Sequence, residues 1–208
     1  MPMPFGLPPP DPGFELFVAS HGMTQGLSQS DGPQVIPRAY LKFGDVQVGG
    51  FWRNIDSPVA NGIGVLFGKV GITRSAAQAD VVLLYRTRTG AHRPTVLHAW
   101  ELDATLRRSF GRFGVRLNAE FAPREFELGP SLFVEAGPTY RLARRTFLFA
   151  NVGRRERSGA PEYTALNFGI SHAVGKSVQL DARYYTTDRS DLGHRYRGRL
   201  VFSARLSL

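Results

Sequence analysis

Between Arg112 and Phe121 the chain reads RFGVRLNAEF, and its residues sort by parity into two incompatible sets. Phe113, Val115, Leu117, Ala119 and Phe121 fall on one face, with Arg112, Gly114, Arg116, Asn118 and Glu120 on the other. A period of two is that of a β-strand lying between two solvents. The pattern recurs later in the chain. Leu180, Ala182 and Tyr184 oppose Gln179, Asp181, Arg183 and Tyr185, and Leu200, Phe202, Ala204, Leu206 and Leu208 oppose Arg199, Ser203, Arg205 and Ser207. Parity alone does not say which solvent lies on which side. A soluble sandwich turns the apolar face inward, whereas a membrane barrel turns it outward to lipid.

About twelve such segments follow one another, each near the ~9 to 11 residues of a membrane-crossing strand. The expected spans are Leu16 to Gly22, Val35 to Phe43, Val46 to Asn54, Ile63 to Ile72, Asp80 to Thr87 and Val96 to Leu106. They continue with Arg112 to Phe121, Ser131 to Leu142, Thr146 to Arg154, Tyr163 to His172, Val178 to Thr187 and Arg197 to Leu208. The connections alternate in length. Those after Phe43, Phe110, Leu142 and Ala173 are short, and Arg74 to Ala79 belongs with them but reads as less tight. Between them come longer polar stretches: Met23 to Gln34, Ile55 to Gly62, Arg88 to Thr95, Ala122 to Pro130, Arg155 to Pro161 and Asp188 to Tyr196. Long loops at one rim and tight turns at the other is the asymmetry of an outer-membrane barrel, and an even strand count suits its closure.

The expectation is therefore an all-β chain, an up-and-down transmembrane antiparallel barrel of about twelve strands. Residues 14–208 would form this single domain behind a Pro-rich N-terminal tail, residues 1–13. That tail lacks the basic segment and continuous apolar core of a signal peptide, so an exported form would have had its signal removed. No apolar run approaches the roughly 18 residues of a spanning helix. The 208 residues contain no cysteine, which excludes disulfides, thiolate metal sites and a thiol nucleophile. A net charge of +9 predicts attraction to anions.

On this reading the charged face surrounds water, and Arg107, Arg116, Glu120, Glu135, Arg141, Asp181, Arg183 and Arg205 are expected to line the lumen. In a dry core each would carry a heavy desolvation cost. Trp52, Trp100, Tyr140 and Tyr184 fall on the lipid-facing side, where aromatic girdles belong. Two irregularities stand against uniform alternation. GIGVLFGKVGI, from Gly62, is apolar on both faces, and Pro37 and Pro138 interrupt strands, implying a bulge or an early end there.

VASHGMTQGLSQSDGPQV (Val18 to Val35), followed by VQVGGFWRNID (Val46 to Asp56), resembles the TorF-like porins of proteobacterial outer membranes. The resemblance continues through ELDATLRRSFGRFGVRLNAEF, FANVGRR, YTALNFGIS and LDARYYTTD, from about Phe14 to the end. It implies a transmembrane barrel and brings no catalytic residues. The chain departs from the terminal aromatic of such barrels by ending in Leu208. Gly22, Asp31, Gly32 and Pro33 would shape the first long loop.

No other motif outweighs this. Ser20 and His21 are neighbours in a strand, so parity is expected to separate them and preclude a nucleophile–base pair. His92, His98, His172 and His194 lack ligand spacing, so no metal or other cofactor is expected. Glu101 with Asp103, and Glu120 with Glu135, share their face with arginines and read as lumen ion pairs rather than acid–base pairs. The glycines from Gly62 to Gly71 precede no helix that could present its N-terminus to phosphate. RLARR (Arg141 to Arg145) and RRER (Arg154 to Arg157) read as solvated clusters or as contacts to membrane lipid and lipopolysaccharide phosphates at the two rims; no nucleic-acid module accompanies them. The expected function is a narrow passive channel for small hydrophilic solutes, with an arginine-rich lumen that biases it toward anions. Two alternatives stay open: a binding or structural barrel with an occluded lumen, and a soluble lipid-binding β-protein.

Overall fold

The computed structural model describes residues 8–92 and 94–208. Residues 1–7, most of the stretch read as a tail, lie outside the described residues. The elements are β1 (Asp11–Ala19), β2 (Met23–Thr24), β3 (Leu27–Ser28), β4 (Gln34–Phe43), β5 (Val46–Asn54), β6 (Ala60–Arg74) and β7 (Ala77–Ala91). They continue with β8 (His98–Phe110), β9 (Phe113–Arg124), β10 (Ser131–Ala143), β11 (Thr146–Arg157), β12 (Tyr163–Val174), β13 (Val178–Thr187) and β14 (Arg199–Ser207). Two short 3-10 turns, Ser190–Leu192 and His194–Tyr196, lie in the connection between β13 and β14.

β1 and β4 to β14 form a closed twelve-stranded antiparallel barrel in which sequence neighbours are spatial neighbours. β1 closes it, pairing with β4 (Leu16 opposite Pro37) and with β14 (Leu16 opposite Leu206). Closure leaves no strand edge, so each barrel strand has a ladder on both sides, as a chain in hydrocarbon requires.

The connections alternate as the sequence implies. Gly44–Asp45, Ser75–Ala76, Gly111–Arg112 and Arg144–Arg145 are two-residue turns, so the turn after Arg74 is tighter than expected. It closes because Ser75 adopts a left-handed φ of 50°. The start of β1 and the end of β14 both reach this rim: Asp11 pairs with Lys42, and the Ser207 N–H bonds the Ser177 carbonyl at 2.8 Å. β1 starts at Asp11, inside the stretch read as tail, and ends at Ala19 rather than Gly22.

The apolar set faces outward. Leu66, Leu117, Leu180 and Phe202 are 65%, 46%, 45% and 57% exposed, while Arg116 and Arg183 line an interior cavity. Such a continuous apolar perimeter far exceeds the patches a soluble monomer tolerates, and the arrangement with leucines in a dry middle does not occur. Aromatic side chains frame the perimeter. Trp52, Trp100 and Tyr184 are exposed toward the long-loop ends of their strands, with Tyr85 packed on Trp100 at 4.9 Å. Tyr140 stands near the turn rim against Phe113, also at 4.9 Å. Ten residues separate Trp100 from Phe110 on β8; at ~3.3 Å each and a tilt near 40° the height is roughly 25 Å, that of an outer-membrane apolar band.

The irregular features find explanations. On β6, Ile63, Val65 and Phe67 point inward and are buried with Leu84 of β7, which makes part of the inner wall apolar. The ladders of β10 keep one register through Pro138, and its shift lies at Arg141/Ala143. The expected bulge at Pro138 is thus absent; Gly137 beside it approaches so closely that an added Cβ would meet the Ala150 carbonyl oxygen. At Pro37 the ladder to β1 runs through, whereas that to β5 ends at Arg38, the early stop expected of a residue without an N–H.

Candidate functional site: the barrel lumen

The first long connection does not remain outside. Its β2–β3 hairpin turns on Gln25 (φ 52°) and Gly26 (φ 83°), two successive left-handed residues of the kind that tight hairpins require. The tip is held inside the barrel. Gln25 Nε2 donates to Glu120 Oε2 at 2.5 Å, the Tyr163 hydroxyl donates to the Gln25 carbonyl at 3.0 Å, and Arg53 Nη1 donates to Thr24 Oγ1 at 2.9 Å. Leu27 packs against fully buried Tyr163 and its neighbours Phe133 and Ala165. An added Cβ on Gly26 would lie 2.5 Å from that of Ala165, so only glycine lets the tip sit this close.

Below the tip lies a cavity of about 310 Å³ whose polar lining is Arg53, Arg86, Glu101, Asp103, Arg116, Glu120, Glu135, Asn167, Arg183 and Tyr185 together with residues 23–26, while Phe51, Val65, Leu84 and Phe133 supply its apolar part. A neighbouring cavity of about 210 Å³ shares Met23, Arg53, Arg183 and Tyr185 with it and adds Asp181 and Arg205. Six of the eight residues expected to line the lumen therefore meet in two adjoining cavities. The other two lie elsewhere. Arg107 reaches Asp80 at 2.8 Å, which Lys69 also approaches at 2.9 Å, near the turn mouth. Arg141, on the turn rim, donates to the Gly111 carbonyl at 3.1 Å.

The cavity walls are only partly ion-paired. Arg86 meets Glu101 at 2.5 Å and Arg116 meets Glu135 at 3.5 Å. Glu120 is held by Gln25 and by Asn118 Nδ2 at 2.7 Å. Arg53, Arg183 and Arg205 reach no carboxylate within ion-pair distance among the described residues; Arg183 lies over the Phe149 ring at 4.2 Å and Arg205 over Phe17 at 5.7 Å. Glu101, Asp103 and Glu120 place carboxylate oxygens within 4.8 Å of one another, which makes them the grouping best suited to a hard cation among the described residues.

At the long-loop mouth a third cavity of about 220 Å³ is lined by Leu27, Arg86, Arg88, Phe126, Arg157 and Tyr196, among others. Phe126 adopts φ 52°, unusual for an aromatic residue, and is buried with Arg88 and Arg86 over its ring at 4.2 and 5.3 Å. Glu125 beside it accepts from Arg155 at 2.5 Å and Arg157 at 3.1 Å. Burial pushes the Glu125 carboxyl up, but Arg155, Arg157 and Arg86 outweigh it and hold the group below its ordinary value. RRER is therefore not a uniformly solvated cluster: Arg155 and Arg157 turn inward, while Arg154 meets Glu162 outside.

Ser20 and His21 depart from their expected separation. β1 has already ended at Ala19, so parity no longer applies, and His21 Nδ1 lies 3.4 Å from Ser20 Oγ. That contact is long, and Ser20 Oγ already accepts from the Phe202 N–H at 3.1 Å.

Taken together, these features define a closed antiparallel barrel with a polar, partly constricted interior. No family model matches the sequence, and no curated protein matches it. Solved structures of the same fold do. The KdgM porin in complex with disordered oligogalacturonate superposes with a TM-score of 0.66 at 8% identity, covering 94% of this chain and 99% of that one. The NanC porin gives 0.59 at 8% identity, over 93% and 97% of the two chains. The COG4313 outer membrane channel from Pseudomonas putida F1 gives 0.57 at 10% identity, over 97% and 96%. At such identities the likeness is one of fold.

Proposed function

We propose that this chain is a passive channel of the bacterial outer membrane for small hydrophilic solutes, its path running through the two adjoining cavities at mid-barrel. The observation that carries the reading is their shared polar lining inside an apolar perimeter: water and ions are accommodated within while lipid is met outside. The likeness to porin folds and the resemblance of Val18 to Asp56 to TorF-like porins support the same reading. Arg116, Glu120, Glu135, Asp181, Arg183 and Arg205 line the path, with Arg107 at its turn mouth. Anionic groups would follow Arg53, Arg183 and Arg205, whose charge no carboxylate within ion-pair distance neutralises among the described residues. Trp52, Trp100, Tyr140 and Tyr184 anchor the barrel in lipid, and Arg154 at one rim and Arg144 and Arg145 at the other meet lipid or lipopolysaccharide phosphate.

The inserted β2–β3 hairpin, with Phe126 and Tyr196 at the mouth, favours a second reading, an occluded barrel that binds or scaffolds through its loops. Planar-bilayer recordings separate the two. Step currents above the empty bilayer support the channel; a silent bilayer containing folded, heat-modifiable protein supports the occluded barrel.

A further inference from the structure

The charges of the central cavity are not mixed evenly around the wall. In the ring of twelve strands β9 stands opposite β1, six positions away in either direction. Glu101, Asp103 and Glu120 come from β8 and β9, and Glu135 from β10, so four of the five carboxylates of the two cavities occupy one arc; the fifth, Asp181, stands on β13 with Arg183. Arg53 comes from β5 and Arg183 from β13, each two positions from β1, and Arg205 lies between them on β14. Arg86 and Arg116 do sit in the acidic arc, but they are engaged by Glu101 and Glu135 and leave Asp103 and Glu120 without an arginine in ion-pair distance among the described residues. Formal charge in the two cavities balances, with Arg53, Arg86, Arg116, Arg183 and Arg205 against Glu101, Asp103, Glu120, Glu135 and Asp181. A balanced but segregated wall creates a field across the bore rather than a net potential along it. Each side also holds a polar atom shut away from bulk without a hydrogen-bond partner among the described residues, Oδ1 of Asp103 and Nε of Arg53.

We infer that the constriction selects small zwitterions, whose carboxylate faces Arg53 and Arg183 while their ammonium group faces Asp103 and Glu120. This rests on the channel reading and narrows its solute class: anionic groups still follow the arginine side, but the permeant carries a cationic group as well. A simple anion meets repulsion from the acidic arc, and a simple cation meets it from the basic one. A zwitterion oriented across the field gains on both sides.

Proteoliposome swelling tests this with solutes of similar size: glycylglycine as the zwitterion, arabinose as the neutral, N-acetylglycine as the anion and glycinamide as the cation. Glycylglycine is expected to enter ~3-fold faster than arabinose, the factor that one charge contact at about 6 Å in water provides. The double variant Asp103→Asn/Arg183→Gln, which leaves formal net charge unchanged, is expected to move that ratio toward parity while arabinose still enters. Glu120→Gln/Arg53→Gln provides an independent pair should the first fail to fold. Glycylglycine entering no faster than arabinose, or a ratio unmoved in both folded variants, overturns the inference. N-acetylglycine outpacing glycylglycine also overturns it while leaving the channel standing, whereas no entry of any solute overturns both.

Discussion

Shortening the inserted hairpin isolates its effect on the bore. Replacing Met23–Ser28 by an Asn-Gly turn is geometrically mild, because the Gln29 N–H already bonds the Gly22 carbonyl at 2.7 Å and closes the base. Twelve strands ~4.8 Å apart and tilted about 40° enclose a backbone cylinder of radius ~12 Å; side chains reduce this to a bore of ~6 Å radius, ~110 Å² in section. The backbone alone of a two-stranded ribbon, ~10 Å wide and ~5 Å thick, covers ~50 Å² of that, so its removal should raise single-channel conductance at least twofold. The assay is planar-bilayer recording in potassium chloride, with circular dichroism and heat-modifiable mobility showing that the barrel is intact. An unchanged or smaller conductance from a folded variant would refute the hairpin as the constriction.

Other perturbations test separate parts of the structure. Glu125→Gln should cost about 3 kcal/mol of local stability, because it leaves Arg155 and Arg157 turned inward without a carboxylate, and should open the Arg154–Arg157 bonds to trypsin at neutral pH. Since the folded value of Glu125 is depressed, its contribution is in full force above the ordinary 4.5 and fades as pH falls through the lower folded value. Wild-type protease resistance should therefore hold between neutral and mildly acidic pH; loss already at mild acidity would contradict this. Leu117→Arg, on the lipid side, should destabilise by roughly 2 to 4 kcal/mol in lipid unfolding experiments, and a neutral result would place that residue away from hydrocarbon. Gly137→Ala, which presses on the Ala150 carbonyl, should lower the urea midpoint by the equivalent of about 2 kcal/mol.

Much of the barrel was legible because its signal is local. Parity assigned Leu117, Leu180 and Phe202 to one face and Arg116 and Arg183 to the other, and connection length ordered the two rims. Strand bounds were less legible. β6 and β7 run 15 residues each, beyond the expected Ile63 to Ile72 and Asp80 to Thr87, because their ends leave the apolar band and alternation no longer marks them. The double-sided apolarity of β6 is an interior contact, Phe67 and Val65 packing toward Leu84, which parity cannot reveal. The inward hairpin was missed although Gln25-Gly26 is a turn signal, since nothing local tells whether a polar loop folds into the lumen or away from it. Long-range partners decide that, Glu120 for Gln25 and Ala165 for Gly26. Arg53 escaped the lumen set, and Asp103 was read only as part of a lumen ion pair, for a related reason: their place among the arginines and carboxylates of one cavity depends on a ring closure that a linear reading does not show.

The side-chain orientation on which all of this depends can be measured directly, because the chain has no cysteine of its own. Single cysteines at Arg116, Arg183, Leu117, Leu180 and Phe202 would be exposed, in proteoliposomes, to a charged membrane-impermeant thiol reagent. The structure predicts rapid modification at Arg116 and Arg183 and protection at Leu117, Leu180 and Phe202; the reverse pattern would contradict a water-filled lumen inside a lipid-facing perimeter.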